Sequence, residues 1–469
     1  MMCTMTRRVT GGLLAAVVVA CGLAVAGVAP ATAASTENVS CQVKSLQKAT
    51  KPVEITFWHS MTRENETTLK AITDEFNMSQ SDVKVSLVNQ VTYDDTLTKY
   101  TAGLASGDLP DLVQLRETEQ QQMIDSQSIV PAGVCAKEDK YSFSDFLPRV
   151  VSYYTVEGQM YGMPFNTSGP VLYYNKQAFT KAGLDPEQPP RTLDEVRAAA
   201  EKLASSGAVN GPPLGLKVEP GFVEHWLALS SKLYVDNSNG RTSRADASVL
   251  NSATGKKIFS WLSGMVDDDL AATNPPEGAG SFDNLLGIGT GNHAMAFDTS
   301  AALSTIQGAL GGFPNVTIGV APMPGLQVGK GGVLVSGGAL FVVKNDTPAK
   351  QAAAWKYATY LDDTETQVQW ALGSGYMPIR TSAADSPQMS AFWAKNPFAK
   401  VAYDQLATGP VNAATAGSVI GDYSDVRDAV RDAEDAMFLD GTAPTVAVKA
   451  AAAASTATMK DYNGRLGVG

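Results

Sequence analysis

The chain has 469 residues, of which 44% are hydrophobic and 18% charged. That is an ordinary globular composition, long enough for a sizeable core and two or more domain-sized units. Its formal net charge of −11 lacks the basic footprint that nucleic-acid binding needs, yet a local site can still oppose the global sign.

The first 34 residues read as a signal peptide. Arg7 and Arg8 precede a long apolar stretch that ends at Ala31-Thr32-Ala33, an A-x-A cleavage pattern. Removing the leader takes the net charge from −11 to −13, since Arg7 and Arg8 are its two charged residues. Val18-Val19-Ala20-Cys21-Gly22 also matches a lipobox, so lipidation at Cys21 stands as the alternative to simple cleavage near Ala33. No later run of 18 apolar residues suggests a membrane span. Outside the leader the cysteines are Cys41 and Cys135. An even pair in an exported chain predicts a disulfide, which would pin a polar extension, residues 35–50, to the first lobe; two unpaired buried thiols are the alternative.

Periodicity then gives strands at 53–61, 83–91 and 111–115, separated by helical patterns. The second helix, in "DDTLTKYTAGLASG", stops at Gly107. The pattern restarts in "PFNTSGPVLYYNKQAF" (164–179), where a polar knot precedes an apolar strand. Thr192 and Glu195 form a predicted capping box for the helix behind it. Further strands are expected at 294–303 and 337–346, and the chain beyond Pro348 is mostly helical. Strand–helix alternation indicates βαβ units on mostly parallel sheets. Strands this widely spread predict two α/β lobes with the chain crossing between them near residue 165.

"ITFWHSM", "GMPFNTSGPVLYYNKQAFTKAGLDPEQPPRTLDEV", "SGGALFVVKN" and "GSGYMPIR" resemble the solute-binding proteins of bacterial ABC importers, and more narrowly their glycerol-3-phosphate and glycerophosphodiester branch. The resemblance runs from about residue 53 to the last helix. It implies a type II periplasmic-binding-protein fold of two α/β lobes. Lobe 1 would comprise 51–165 and 301–343, and lobe 2 would comprise 166–300 and 344–469. The lobes would close over a ligand in the cleft between them.

Carried over position by position, the family's ligand-binding residues fall on Tyr93, Glu117, Ser168, Thr299 (with Ser300 adjacent and equally able), Gly337, Tyr376 and Arg427. Arg427 would grip a phosphate with its planar fork. Ser168, Thr299 and the Gly337 N–H would complete the cage, and Glu117 would accept from hydroxyls at the glycerol end. Relatives carry a Trp pair where this chain reads "GLKVEPGFVEHW". Phe222 is expected to supply the missing apolar wall, with Trp58 and Trp226 at the cleft edge.

The implied protein is exported and extracytoplasmic. It is expected to act as a monomer, without cofactor or metal, and to deliver its ligand to ABC permease subunits. A sugar-binding protein of the same fold is one alternative, and an extracellular phosphodiester hydrolase is another. Against the hydrolase, His59, His225 and His293 are scattered and no HExxH, CxxC pair or GxSxG motif appears. "GLQVGKGG" (325–332) is one residue short of a P-loop spacing and lacks the following Ser/Thr, so a surface hairpin is expected there.

Overall fold

The computed structural model describes residues 39–274, 282–310, 313 and 316–468. The leader and Cys21 lie outside them, as does the start of the extension. Thirteen strands occur among the described residues. In chain order they are β1 Val53–His59, β2 Val83–Asn89, β3 Leu112–Arg116, β4 Ile129–Val130, β5 Thr155–Val156, β6 Gln159–Met160, β7 Met163–Ser168, β8 Pro170–Asn175, β9 Leu214–Lys217, β10 Ala271–Asn274, β11 Met295–Thr299, β12 Ile318–Pro322 and β13 Ser336–Val343.

Two sheets organise the molecule. The first runs β2-β1-β3-β13-β4, with β7 also on β13; the second runs β10-β9-β11-β8-β12. Both are mixed rather than mostly parallel. β1 is parallel to β2 and β3, but β13 is antiparallel to all its partners. In the second sheet β9 is parallel to β10 and β11, while β8 runs against β11 and β12. Antiparallel strands enter because the chain returns from the other lobe instead of through a local βαβ crossover.

The polar knot at 166–169 is the first crossing. β7 belongs to the first sheet and β8 to the second, with Gly169 between them. Val171–Tyr174 lie fully inside, between β11 and β12. A second crossing joins β12 to β13. The expected lobe boundaries need correction here. β12 pairs with β8 in the second sheet, so the stretch 301–343 is not all first-lobe. The helix Pro348–Leu361 packs on β1 and β13, and Thr364–Gly373 packs on the helix Arg63–Ser79; both belong with the first sheet. The chain rejoins the second sheet through Val401–Ala407, which packs on β8 and β12.

Local signals behave as their chemistry dictates. Thr192 accepts from the Glu195 N–H while the Glu195 side chain returns to the Thr192 N–H, closing the capping box of Leu193–Ser205. Gly107 ends Tyr93–Ser106 in the left-handed conformation. Cys41 and Cys135 form a disulfide. It holds the turn Val43–Lys48 against Ala132–Asp139 and Pro348–Leu361, so the extension is pinned to the first lobe. Residues 326–330 are bends outside any strand, not a hairpin; Ser231 Oγ donates to Lys330 O at 2.6 Å. No helix of the described residues is long and apolar enough to cross a membrane.

Candidate functional site

Where β7 leaves the first sheet, residues of both sheets enclose a cavity of about 180 Å³. Tyr93, Glu117, Ser168, Thr299, Gly337, Tyr376 and Arg427 all line it, as does Phe222. Residues up to 334 positions apart are thus gathered at one place, mostly from the ends of strands or the first turns of helices.

On the first-lobe side a chain of amides fixes Tyr93. Its hydroxyl accepts from Asn166 Nδ2 at 2.7 Å, Asn166 Oδ1 accepts from Gln114 Nε2 at 2.7 Å, and Gln114 Oε1 accepts from Ser60 N at 2.9 Å. Tyr93 therefore keeps its own phenolic proton to donate elsewhere. Tyr376 stacks on Trp370 at 5.5 Å, and Trp370 stacks on Phe165 at 4.9 Å. This ladder sets the plane of the tyrosine ring.

Glu117 stands at the end of β3 and is buried. Its Oε2 accepts from the Gly337 N–H at 3.0 Å. Burial pushes its pKa up to about 7, against the pull of Arg427 and Arg116. The expectation that Gly337 offers its N–H to a ligand is therefore corrected: that donor is spent on Glu117. The glycine is needed for the backbone itself. Its φ is +116° and a Cβ would strike the Asn166 carbonyl.

Arg427 is also paired differently from the expected grip. Its Nε and Nη2 donate to Glu224 Oε1 and Oε2 at 2.8 and 2.9 Å, and the Tyr423 hydroxyl adds a bond to Oε2 at 3.0 Å. Glu224 lies in the helix Pro220–Leu229 of the second lobe. One edge of the guanidinium is thus occupied, and the edge formed by Nη1 and the second Nη2 hydrogen lies outside that fork.

Several lining residues have no counterpart among the expected ones. Lys217 and Asp298 form a buried ion pair at 2.7 Å, and Asp298 also accepts from Asn284 Nδ2 and Thr299 N. Arg116 sits with its guanidinium 5.6 Å from the Tyr93 ring centre. Glu219 caps the helix Pro220–Leu229 by accepting from Gly221 N. His225 and Ser336 line the same wall and meet at 3.2 Å. A signal for some of these was present: "LKVEPG" ends a strand and opens a helix, with Lys217 and Glu219 two positions apart in sequence.

Three expected residues stand elsewhere. Ser300 Oγ accepts from Gly169 N at 3.3 Å and does not line the cavity, because it ties the β8 entry to the turn after β11. Trp58 is buried with the Lys99 ammonium 4.1 Å over its ring. Trp226 is a core residue: its indole donates to Pro324 O at 3.0 Å and its ring packs edge-on to Trp261 and Phe297. Buried tryptophans with a satisfied N–H are packing elements.

The cations of the wall are each paired: Lys217 with Asp298, Arg427 with Glu224 and Arg116 with Asp94 at 3.4 Å. The carboxylates left over are Glu219 and Glu117, the latter with its pKa raised to about 7. What remains is a small polar chamber with hydroxyl donors, one guanidinium edge and two tyrosine rings.

A family model described as "Bacterial extracellular solute-binding protein" matches residues 71–401. The sn-glycerol-3-phosphate-binding periplasmic protein UgpB of Yersinia pestis is 30% identical over 406 residues, covering 84% of this chain and 90% of that protein. The corresponding protein of Pectobacterium atrosepticum is 29% identical over 420 residues, with 87% and 92% covered. Among solved structures, UgpB from Mycobacterium tuberculosis in complex with glycerophosphocholine superposes with a TM-score of 0.70 at 19% identity, covering 88% of this chain and 99% of that one. The cyclic alpha-maltosyl-1,6-maltose binding protein from Arthrobacter globiformis gives 0.70 at 23% identity, with 87% and 100% covered. These structures share the type II binding-protein fold. The chain is a member of the bacterial extracellular solute-binding protein family.

Proposed function

We propose that this protein is the exported substrate-binding component of an ABC importer, that it captures glycerol-3-phosphate or a glycerophosphodiester between its lobes, and that it passes the ligand to a permease. The observation that carries the reading is the convergence of Tyr93, Glu117, Ser168, Thr299, Tyr376 and Arg427 on one cavity. In it the Arg427 edge outside the Glu224 fork meets two phosphate oxygens. Ser168 and Thr299 add neutral donors, and Glu117 accepts from glycerol hydroxyls. Tyr93 and Tyr376 cover the carbon skeleton, and Phe222 walls the far end. Charge-assisted bonds from a pre-paired guanidinium suit a phosphate ester better than a neutral ligand.

A sugar-binding role is the second reading. It is favoured by the stacked Tyr376 and by the carboxylates Glu117, Glu219 and Asp298 in the wall, since carboxylates and aromatic faces also suit polyols. A thermal-shift panel of glycerol-3-phosphate, glycerophosphocholine and maltose separates the two, because a ligand that binds only the native state raises its melting temperature. The expected result is a shift with a phosphate ester and none with maltose. A shift with maltose alone overturns the phosphate reading, and turnover of glycerophosphocholine would return the hydrolase alternative.

A further inference from the structure

We propose that Ser336 is a ligand-binding residue that donates a hydrogen bond from its hydroxyl, and that His225 is the positioning residue that turns that donor into the cavity. The proposal rests on the binding-protein reading above and names a residue of the same site.

The Leu334 N–H donates to His225 Nδ1 at 3.0 Å. An amide N–H can only donate, so Nδ1 must be the unprotonated nitrogen of the ring. The imidazole is buried, and burial together with Arg427 and Arg149 depresses its pKa to about 3, so the ring is neutral in the working range. A neutral ring with a bare Nδ1 carries its proton on Nε2. Nε2 lies 3.2 Å from Ser336 Oγ, and so the ring donates and the serine accepts.

That direction decides what the serine presents. With Oγ accepting from the imidazole, its own proton is directed away from the ring. Ser336 lines the cavity and is the register partner of Ser168 across β7 and β13. Its neighbour Gly337 holds Glu117, and His225 is adjacent in sequence to the Glu224 that holds Arg427. Ser336 therefore sits between the carboxylate end and the guanidinium end, offering a donor. The opposite tautomer would have the hydroxyl donate to the ring and leave only lone pairs facing the ligand, which an anionic oxygen would repel. Under the phosphate reading the acceptor is a phosphate oxygen.

The test is isothermal titration of the mature chain with glycerol-3-phosphate, glycerophosphocholine and maltose. The variants are Ser336→Ala, Ser336→Thr, His225→Phe and the double Ser336→Ala/His225→Phe. Ser336→Ala is expected to weaken the best ligand by about fivefold or more, the worth of one hydrogen bond; it also strips the acceptor from the buried His225 N–H, so a lowered apo melting temperature is expected and affinity is read on the folded variant. Ser336→Thr, which keeps the hydroxyl, should recover most of the affinity. His225→Phe should weaken binding in the wild-type background and add little in the Ser336→Ala background, because the histidine acts through the serine. Should His225→Phe not fold, His225→Gln is read instead with the opposite expectation: its amide offers both an N–H for Ser336 and an acceptor for the Leu334 N–H, so affinity should stay near wild type. Affinity of Ser336→Ala within about twofold of wild type overturns the proposal, as does full additivity of the two losses. If wild type binds maltose and neither ester, it is the phosphate reading that fails; the same variants titrated with maltose still decide the serine by the same criteria.

Discussion

Glu117 should make the unliganded protein less stable as pH rises through neutrality, and Glu117→Gln should remove that effect. The carboxyl is buried and its pKa is raised from 4.5 to about 7 by desolvation. Between those values the folded state holds a proton that the unfolded state has released. The unfolded state therefore binds fewer protons, and stability must fall as pH increases. With an unfolded pKa of 4.5 and a folded one of about 7, the linkage integral gives a cost of about 0.8 kcal/mol at about pH 5 and about 3.3 kcal/mol at about pH 8. Glutamine keeps an acceptor for the Gly337 N–H and has no charge to bury. Wild type and variant should be compared by urea denaturation at several pH values across this window. His225 and His59, pushed down by burial to about 3 and about 4, tilt the wild-type curve the other way, since their unfolded forms take up protons below pH 6.5. They are common to both proteins and drop out of the difference. That difference should grow by about 2.5 kcal/mol in favour of Glu117→Gln between about pH 5 and about pH 8. Parallel curves, within about 0.5 kcal/mol across the window, would refute the assignment of a raised pKa to this group.

Other expected outcomes follow from the same kind of accounting. Arg427→Met strands Glu224, which is 3% exposed, and should cost about 3–5 kcal/mol of stability by leaving a buried charge unpaired; Arg427→Met/Glu224→Met should recover most of that in a melt while phosphate-ester binding stays lost. Arg149 is 2% exposed and its three guanidinium nitrogens have no hydrogen-bond partner among the described residues, so Arg149→Met should stabilise the fold by about 1–4 kcal/mol in urea titration; a less stable variant would show that the guanidinium is satisfied. The Cys41–Cys135 bond closes a loop of 94 residues, and Cys41→Ser/Cys135→Ser should cost up to about 4.7 kcal/mol on the chain-entropy model, read as a lower urea midpoint that added reductant no longer changes.

Much of the fold is legible where local chemistry is decisive. The runs at 53–61, 83–91 and 111–115 alternate or cluster apolar residues as strands must, and they became β1, β2 and β3. Thr192, Glu195 and Gly107 act within a few residues, so their roles were readable. β12 was not. Its "IGVAP" is short and glycine- and proline-bearing, and nothing local says that it pairs with β8, some 140 residues earlier. The same limit caused the lobe boundaries to be misplaced after residue 300. In the site, residue types carried by the family resemblance reached the cavity, but their partners did not announce themselves. Arg427 meets Glu224 across 203 positions and Gly337 meets Glu117 across 220. Sequence proposed that Arg427 and Gly337 face the ligand bare; packing gave each a carboxylate first. Trp58 and Trp226 show the converse error, since a large aromatic near a cleft motif is still drawn to the core.

The stretch "GFVEHW", where the resemblance led to the expectation of an apolar wall from Phe222, has a fuller physical content. Four successive positions on the helix Pro220–Leu229 divide the work of that wall. Phe222 lines the cavity, Val223 is buried beneath it, Glu224 grips Arg427, and His225 grips Ser336. The first two supply surface, while the last two set the orientation of a cation and of a hydroxyl. The helix packs within the second lobe against Ala253–Asp267 and Tyr423–Asp440, whereas Ser336 opens β13 of the first sheet. The His225–Ser336 bond therefore links the two lobes directly at the cavity. Under the proposal above, one imidazole of the second lobe sets the direction of the Ser336 proton, as Glu224 beside it sets the Arg427 guanidinium.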